Sequence, residues 1–210
     1  QVSALKNAQV QAVETGDLIV LNSAQIGGLS SGQLNALLST QVKALTNNQI
    51  KLVSAGQLGS LSSLQLSMVE SSQLNALTSG QVAGLGVAQV QGLTTDQVSS
   101  LSAQTLNALG VAQVSALLTS QVVALKTDQV SSFGTLQLSS FLTSQVASLT
   151  TDQVVAIELP DLKALKAEQI SSFATDRIEA LTSQQVAALA GGQVSALKNA
   201  QVQAVETGDL

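Results

Sequence analysis

The stretch Leu149-Thr150-Thr151-Asp152-Gln153-Val154 has the features of a helix start, and a version of it recurs every eight residues along the chain. The Thr150 hydroxyl can accept from a backbone N–H one turn ahead, and the Gln153 amide can reach back to the N–H of the cap. These two bonds form a capping box. Leu149 and Val154 flank the cap and can meet as a hydrophobic staple.

Each helix predicted in this way is short. The helix after Thr150 can run only to about Ile157, because Glu158 stands where the next cap belongs. Two helical turns fall far below the ~12–15 residues that an isolated helix needs in water. Each unit must therefore draw its stability from neighbouring units.

The eight-residue register, counted from Gln1, holds through 24 consecutive octads. Positions two and five are Val, Ile, Leu or Phe in every octad, and position seven is Ser, Thr or Asn in 17 of the 24. Charged residues occur only at positions one, three, six and eight. We therefore expect positions two, four and five, which carry no charge, to form the interior.

Position one is Gln in 20 of the 24 octads. Short helices joined without linkers leave N–H and C=O groups unpaired at every bend, and a primary amide can both donate and accept. We therefore predict that this amide column is structural, with a ligand-binding row as the alternative. The predicted column consists of Gln1, Gln9, Gln25, Gln33, Gln41, Gln49, Gln57, Gln65, Gln73, Gln81, Gln89, Gln97, Gln113, Gln121, Gln129, Gln137, Gln145, Gln153, Gln169 and Gln185.

Four octads depart from Gln at position one, at Asp17, Thr105, Asp161 and Arg177. The two aspartates fit the same position as acceptors. Arg177 does not fit it, and we expect only a local salt bridge with a neighbouring acid, Asp176 or Glu179.

The spacing of large apolar residues favours helices over strands. A strand requires a period of two, whereas these residues lie three and then five apart. Gln, Ala, Leu and Ser also suit helices. The frequent Val at position two and the turn pairs at positions seven and eight leave a β-solenoid with three octads per turn as the alternative.

A single continuous helix is disfavoured, because its apolar stripe would rotate by about 80° per octad. The chain must bend once per octad, near position six. Gly86, Gly110 and Gly134 occupy that position and suit a helix C-terminus. They lie three octads apart, and Leu117–Val122 returns three octads later as Phe141–Val146. Such periodicity predicts an all-α solenoid with about three short helices per turn.

A longer repetition concerns the two ends of the sequence. Residues Gln1–Leu18 are identical to Gln193–Leu210, an offset of 24 octads. We interpret residues 1–210 as one continuous solenoid, with 1–192 as one long repeat and 193–210 as the start of the next copy. The expected partners are neighbouring copies in tandem or as a polymer, with lateral self-association.

Composition argues against several functions. The net charge of −5 disfavours a nucleic-acid partner, and no apolar run is long enough for a transmembrane helix. Without His or Cys the chain offers no nucleophile–base pair, so we expect neither enzymatic activity nor a cofactor.

Two polar patterns could suggest binding sites. Thr-Asp pairs recur at Asp128, Asp152 and Asp176, but no loop gathers the six to eight oxygens that calcium prefers. Acids in the first turn of a helix explain them, and we predict no metal site. The Ser/Thr residues of position seven could form an ice-binding row, although such residues also favour helix starts.

The pattern Leu-Thr-x-x-Gln-Val-x-Ala-Leu resembles the degenerate repeats of very long bacterial surface and secreted proteins of adhesin type. The resemblance runs from Val2 to Val202, and the octads around Gly84-Leu85-Gly86 and Thr105 depart from it. It implies a structural module of an extracellular or cell-surface filament, stalk or adhesin shaft, and it transfers no functional residues. The alternative function is a solenoid that binds glycan or ice through its Ser/Thr or Gln rows.

Overall fold

The computed structural model describes residues 2–208, and the side chains of 2–205 within them. In this range the chain forms a 3₁₀ turn at Val2–Ala4 and 25 short α-helices, and no strand. The helical interpretation is therefore confirmed, and the β-solenoid alternative is wrong for the described residues.

The chain forms two compact units, Gln1–Leu109 and Gly110–Leu210. The helices of the first unit are α1 (Asn7–Gln11), α2 (Thr15–Leu18), α3 (Ser23–Gly27), α4 (Ser31–Ala36), α5 (Ser39–Ala44), α6 (Asn47–Ile50), α7 (Ala55–Leu58), α8 (Ser63–Ser67), α9 (Ser71–Ala76), α10 (Ser79–Ala83), α11 (Val87–Gln91), α12 (Thr95–Ser99) and α13 (Ala103–Asn107). Those of the second unit are α14 (Val111–Ser115), α15 (Thr119–Val123), α16 (Thr127–Ser132), α17 (Thr135–Ser139), α18 (Thr143–Ser148), α19 (Thr151–Val155), α20 (Leu159–Ala164), α21 (Ala167–Ile170), α22 (Thr175–Glu179), α23 (Ser183–Ala188), α24 (Gly191–Ser195) and α25 (Asn199–Gly208).

Helices that pack on one another lie three apart in the chain. In the first unit α1 packs on α4, α4 on α7 and α7 on α10. In the second unit α14 packs on α17, α17 on α20 and α20 on α23. Each unit is thus a stack of turns with three helices, and so three octads, per turn, as the sequence predicted.

Helix α19 illustrates why these residues form short helices. The N–H of Thr150 donates to Gln153 Oε1 at 2.9 Å, and the N–H of Gln153 donates to Thr150 Oγ1 at 3.2 Å. The predicted capping box is therefore formed. The helix ends at Val155, with Ala156 as its C-cap and the extended Glu158 as the N-cap of the next helix. Both staple residues, Leu149 and Val154, are buried.

At some corners two consecutive residues are extended. Between α18 and α19 these are Leu149 (φ −56°, ψ 139°) and Thr150 (φ −74°, ψ 165°). The prediction that Gly86, Gly110 and Gly134 end helices is wrong, because each is an N-cap with φ between −72° and −80°. No described residue has a positive φ, so the corner requires no left-handed glycine, and an N-cap tolerates Gly well.

The interior differs from the prediction in one of its three positions. Between residues 26 and 181, every residue at positions two and five is buried. Position four is half-buried or exposed in all 24 octads. Position one is the third interior position instead, as shown by Gln153 with 2% of its surface exposed.

At Gly84 and Gly92 position four is small because successive turns approach each other closely there. A Cβ on Gly84 would lie 2.7 Å from the Cβ of Ala55, and a Cβ on Gly92 would lie 2.5 Å from that of Ser63. At these two octads the small residue at position four therefore reflects close approach between turns and not a place in the apolar core.

Candidate functional site

The amide column lies at the third residue of each helix, where its oxygen completes the helix start. The Oε1 of Gln145 accepts from the N–H of Leu142 at 2.6 Å, and the Oε1 of Gln89 accepts from the N–H of Gly86 at 2.7 Å. Neither Leu142 nor Gly86 has a polar side chain that could accept from the backbone N–H of the glutamine. At these two helices the glutamine amide is therefore the only side chain that caps the helix start. A reciprocal bond, in which the cap side chain accepts from the backbone N–H of the glutamine, is present at Asn22, Ser30, Thr46, Ser54, Ser62, Thr78, Thr94, Thr150 and Thr182.

The nitrogen of the same amide reaches the preceding turn. Gln153 Nε2 donates to the carbonyls of Val122 at 2.9 Å, Val123 at 3.2 Å and Leu125 at 2.6 Å. These carbonyls lie at the end of α15, where the regular pairing of the helix stops, and the Val122 carbonyl also accepts from the N–H of Leu125 at 3.2 Å. They also carry the partial negative charge of a helix C-terminus. One amide thus connects a helix start in one turn to a corner in the turn before it.

This bridging bond recurs in both units. Its acceptors are always carbonyls 28 to 31 residues earlier in the chain. It is made by Gln33, Gln41, Gln49, Gln57, Gln65, Gln73, Gln81, Gln89, Gln97, Gln145, Gln153, Gln169, Gln185, Gln193 and Gln201. All of these except Gln57 are buried.

The remaining members of the predicted column fall into three groups. The side chains of Gln113, Gln121, Gln129 and Gln137 are buried, and their Oε1 atoms accept from their own N-caps. Gln9 and Gln25 lie near the start of the chain and accept from the N–H groups of Lys6 and Asn22. Gln1 lies outside the described residues.

Thr105 is hydrogen-bonded to Asn75, a side chain that the sequence did not single out. Asn75 Oδ1 accepts from the N–H of Ser102 at 2.8 Å and from Thr105 Oγ1 at 3.1 Å, while its Nδ2 donates to the Ser100 carbonyl at 2.8 Å. An amide from the preceding turn thus takes over where the column lacks one. The available signal was an Asn at position three, 30 residues before the exceptional Thr105.

The two aspartates of position one differ. Asp161 is buried and accepts from Thr135 Oγ1 at 2.7 Å, so it is an acceptor as predicted, but for a hydroxyl of an earlier turn. Asp17 is exposed.

Arg177 replaces the glutamine of position one as a hydrogen-bond donor to the preceding turn. Its Nε donates to the Leu149 carbonyl at 3.1 Å, an acceptor 28 residues earlier, as for the Nε2 of the glutamines. Its guanidinium also forms the predicted ion pair with Asp176. The hydrogen bond from Arg177 lowers the pKa of the Asp176 carboxyl.

Other candidate binding groups are dispersed. Asp128, Asp152 and Asp176 lie in the first turns of α16, α19 and α22. Among residues 2–208 no three His, Cys, Asp or Glu side chains lie close enough to hold a metal ion. The described helices also include none with both the length and the apolar character that membrane crossing requires.

An apolar surface lies at the last turn of the second unit. This surface, which we call the end face, contains a cavity of about 230 Å³. The cavity is lined by Val186, Leu189, Val194, Leu197, Val202 and Val205. Val194 and Val202 are 47% and 41% exposed, although every residue at their position in the octad is buried from Val10 to Ile178.

These features define a helical-repeat protein with an octad unit, three helices per turn and an internal column of amides. A family model described as the ALTTAQ repeat matches residues 10–47, 67–103 and 154–190, which together are just over half of the chain. The chain belongs to the ALTTAQ repeat family. Read as residues, those six letters run from position four of one octad to position one of the next, as in Gly92–Gln97. No curated protein matches the chain.

Proposed function

We propose that the chain is a structural, non-catalytic repeat module of an extracellular bacterial filament, stalk or adhesin shaft. The main support is that the side-chain amides of the column are already hydrogen-bonded to the backbone of the same chain. Gln41, for example, accepts from the N–H of Leu38 and donates to the carbonyls of Val10, Gln11 and Val13, with 1% of its surface exposed. Side chains engaged in this way hold successive turns together, and their burial keeps them out of reach of a ligand.

Two further observations support a role in assembly. Only 10% of the residues are charged, against about 25% in typical globular domains, which reduces repulsion between adjacent molecules. Leu118 and Leu142, the N-cap residues of α15 and α18, are 46% and 54% exposed, and these two helices pack on each other. Two exposed apolar side chains on neighbouring turns can contribute to lateral association of parallel modules.

Imaging of the native protein by negative-stain electron microscopy tests this proposal. A shaft or filament module gives elongated particles of uniform width, with lengths that grow with the number of repeat copies. Discrete globular particles would contradict the proposal.

The hydroxyl row provides a second candidate, a solenoid face that binds glycan or ice. Thr127, Thr151 and Thr175 begin α16, α19 and α22, which pack in succession, so their side chains recur once per turn. Regularly spaced hydroxyls can match a repetitive surface. Ice-growth and glycan-array assays on the whole chain test this candidate, and no effect at high protein concentration would eliminate it.

A further inference from the structure

One 18-residue sequence occurs twice in the chain, in two different surroundings. In its first occurrence Val10 is 2% exposed and Gln9 is exposed. In its second occurrence the equivalent Val202 is 41% exposed, whereas the equivalent Gln201 is 3% exposed. In the first copy the valine side is therefore covered and the glutamine side is open. In the second copy the glutamine side is covered and the valine side is open.

The first unit shows what covers this sequence from above. Gln33 Nε2 donates to the carbonyls of Val2 at 3.0 Å and Leu5 at 2.8 Å. Gln41 Nε2 donates to the carbonyl of Val10 at 3.0 Å. Helices α4 and α5, which carry these amides, pack on α1 and α2. The cover thus consists of the second turn and the start of the third, within residues 25–49.

The second unit shows what supports the same sequence from below. Gln193 donates to the carbonyl of Leu162 at 2.8 Å, and Gln201 donates to that of Phe173 at 2.7 Å. Helices α24 and α25 pack on α21 and α22. Together the two units display both sides of a single junction.

We propose that the end face is the docking surface for residues 25–49 of a following copy of the same repeat, joined in tandem. This inference rests on the proposed tandem module and names its contact surface. The occupant is specified by sequence, because the residues on the end face from Val194 onward are those that residues 25–49 already cover in the first unit. In the junction, Gln33 of the following copy donates to the carbonyls of Val194 and Leu197.

The junction also changes the helix at the end of the second unit. Helix α25 spans Asn199–Gly208, whereas the identical sequence in the first unit is divided into α1 and α2. Gln41 of the following copy would donate to the carbonyls of Val202, Gln203 and Val205. Helix α25 then bends between Gln203 and Thr207, as the first copy does between Gln11 and Thr15.

Thiol labelling can test this proposal, because the chain has no cysteine of its own. Val202→Cys is introduced into the present chain and into a longer chain in which residues 1–192 are followed directly by residues 1–210. Val10→Cys serves as the buried reference and Leu136→Cys, at a side chain 77% exposed, as the exposed reference. The rate of reaction with a maleimide is measured for each variant.

In the longer chain, labelling at Val202→Cys should slow roughly tenfold or more and approach the rate of Val10→Cys, since a covered thiol reacts only after local opening. Leu136→Cys should label equally fast in both chains. Equal rates for Val202→Cys in the two chains, or rapid labelling of Val10→Cys in either, would overturn the proposal. If imaging shows elongated particles but Val202→Cys is not protected, the proposed function is supported and the junction is wrong. If Val202→Cys is protected but the particles are not elongated, the junction is supported and the proposed function is wrong.

Discussion

The identical sequences at residues 7–16 and 199–208 adopt different structures. The first forms α1, a corner at Ala12–Glu14 and the start of α2, whereas the second forms the single ten-residue helix α25. The corner is therefore not encoded within the octad alone. In the first copy a following turn lies above this corner, whereas the corners at Leu189 and Leu197 form although no residue of the chain lies 28 to 31 places later.

The physical reason is the balance of backbone hydrogen bonds. A continuous helix pairs its own carbonyls, whereas a corner leaves several of them without an N–H partner. At the first copy Gln41 supplies donors to Val10, Gln11 and Val13, and the following turn covers the Val10 side chain. The second copy has no such cover in this structure, and the helix continues.

The strongest way to disrupt the covered corner is Gln41→Glu. A carboxylate would face three carbonyl oxygens now within 2.7 to 3.3 Å of the amide nitrogen. We expect a loss of roughly 3 kcal/mol or more in the free energy of unfolding at pH 7, measured by urea denaturation.

The pH dependence of Gln41→Glu follows from the same environment. Burial and the nearby carbonyls would raise the pKa of the introduced carboxyl above its ordinary value of about 4.3. The destabilisation is therefore least below that ordinary value, where the group is protonated in both states, and grows as the pH rises toward the raised pKa. Gln9→Glu, at an exposed member of the column, is the control. Similar losses for both variants would contradict the role of the bridging bond.

Removing two methyl groups from matched valines tests the contribution of the cover. Val10→Ala should lower the free energy of unfolding by about 2 kcal/mol, from ~0.8 kcal/mol per lost group plus a cavity. Val202→Ala, in the same local sequence but 41% exposed, should cost under about 1 kcal/mol. Urea denaturation of the two variants measures the difference, and equal losses would show that the cover adds no stability.

The amides beside these valines should show the opposite asymmetry. Gln201→Ala removes donations to Ser171 and Phe173 and should lower the local opening free energy of the last turn by about 1–2 kcal/mol. Gln9→Ala should change the first turn by less than about 0.5 kcal/mol, because its amide accepts only from the N–H of Lys6. Native-state hydrogen exchange reports both openings. A larger effect of Gln9→Ala than of Gln201→Ala would contradict the assignment of the bridging bond to an amide that donates to the preceding turn.

A small stabilisation is expected from Gly16→Ala, which would strengthen α2 beyond the corner. A Cβ at Gly16 would have no other atom within 4 Å, so the substitution should add about 0.4–1 kcal/mol by restricting the unfolded chain. Gly92→Ala, where a Cβ would lie 2.5 Å from that of Ser63, should instead destabilise. Thermal denaturation distinguishes the two. A stabilising Gly92→Ala would show that the turns do not approach closely.

The residues that sequence reasoning placed correctly act over short distances. The capping box of Thr150 and Gln153 and the burial of Val154 follow from spacings of three and four residues, which local chemistry determines. The burial of position one and the compensation of Thr105 by Asn75 could not be predicted in this way. Both depend on partners about thirty residues away in the chain.

The sequence by itself determined short capped helices, one per octad, and the step of three octads between equivalent helices. Only the tertiary structure decided which side chains are covered and which of the identical octads 9–16 and 201–208 contains a corner. The reason is that a helix start is completed within one turn of the backbone, whereas the burial of a corner and the additional hydrogen bonds to its carbonyls depend on an amide that the next turn of the stack brings above them.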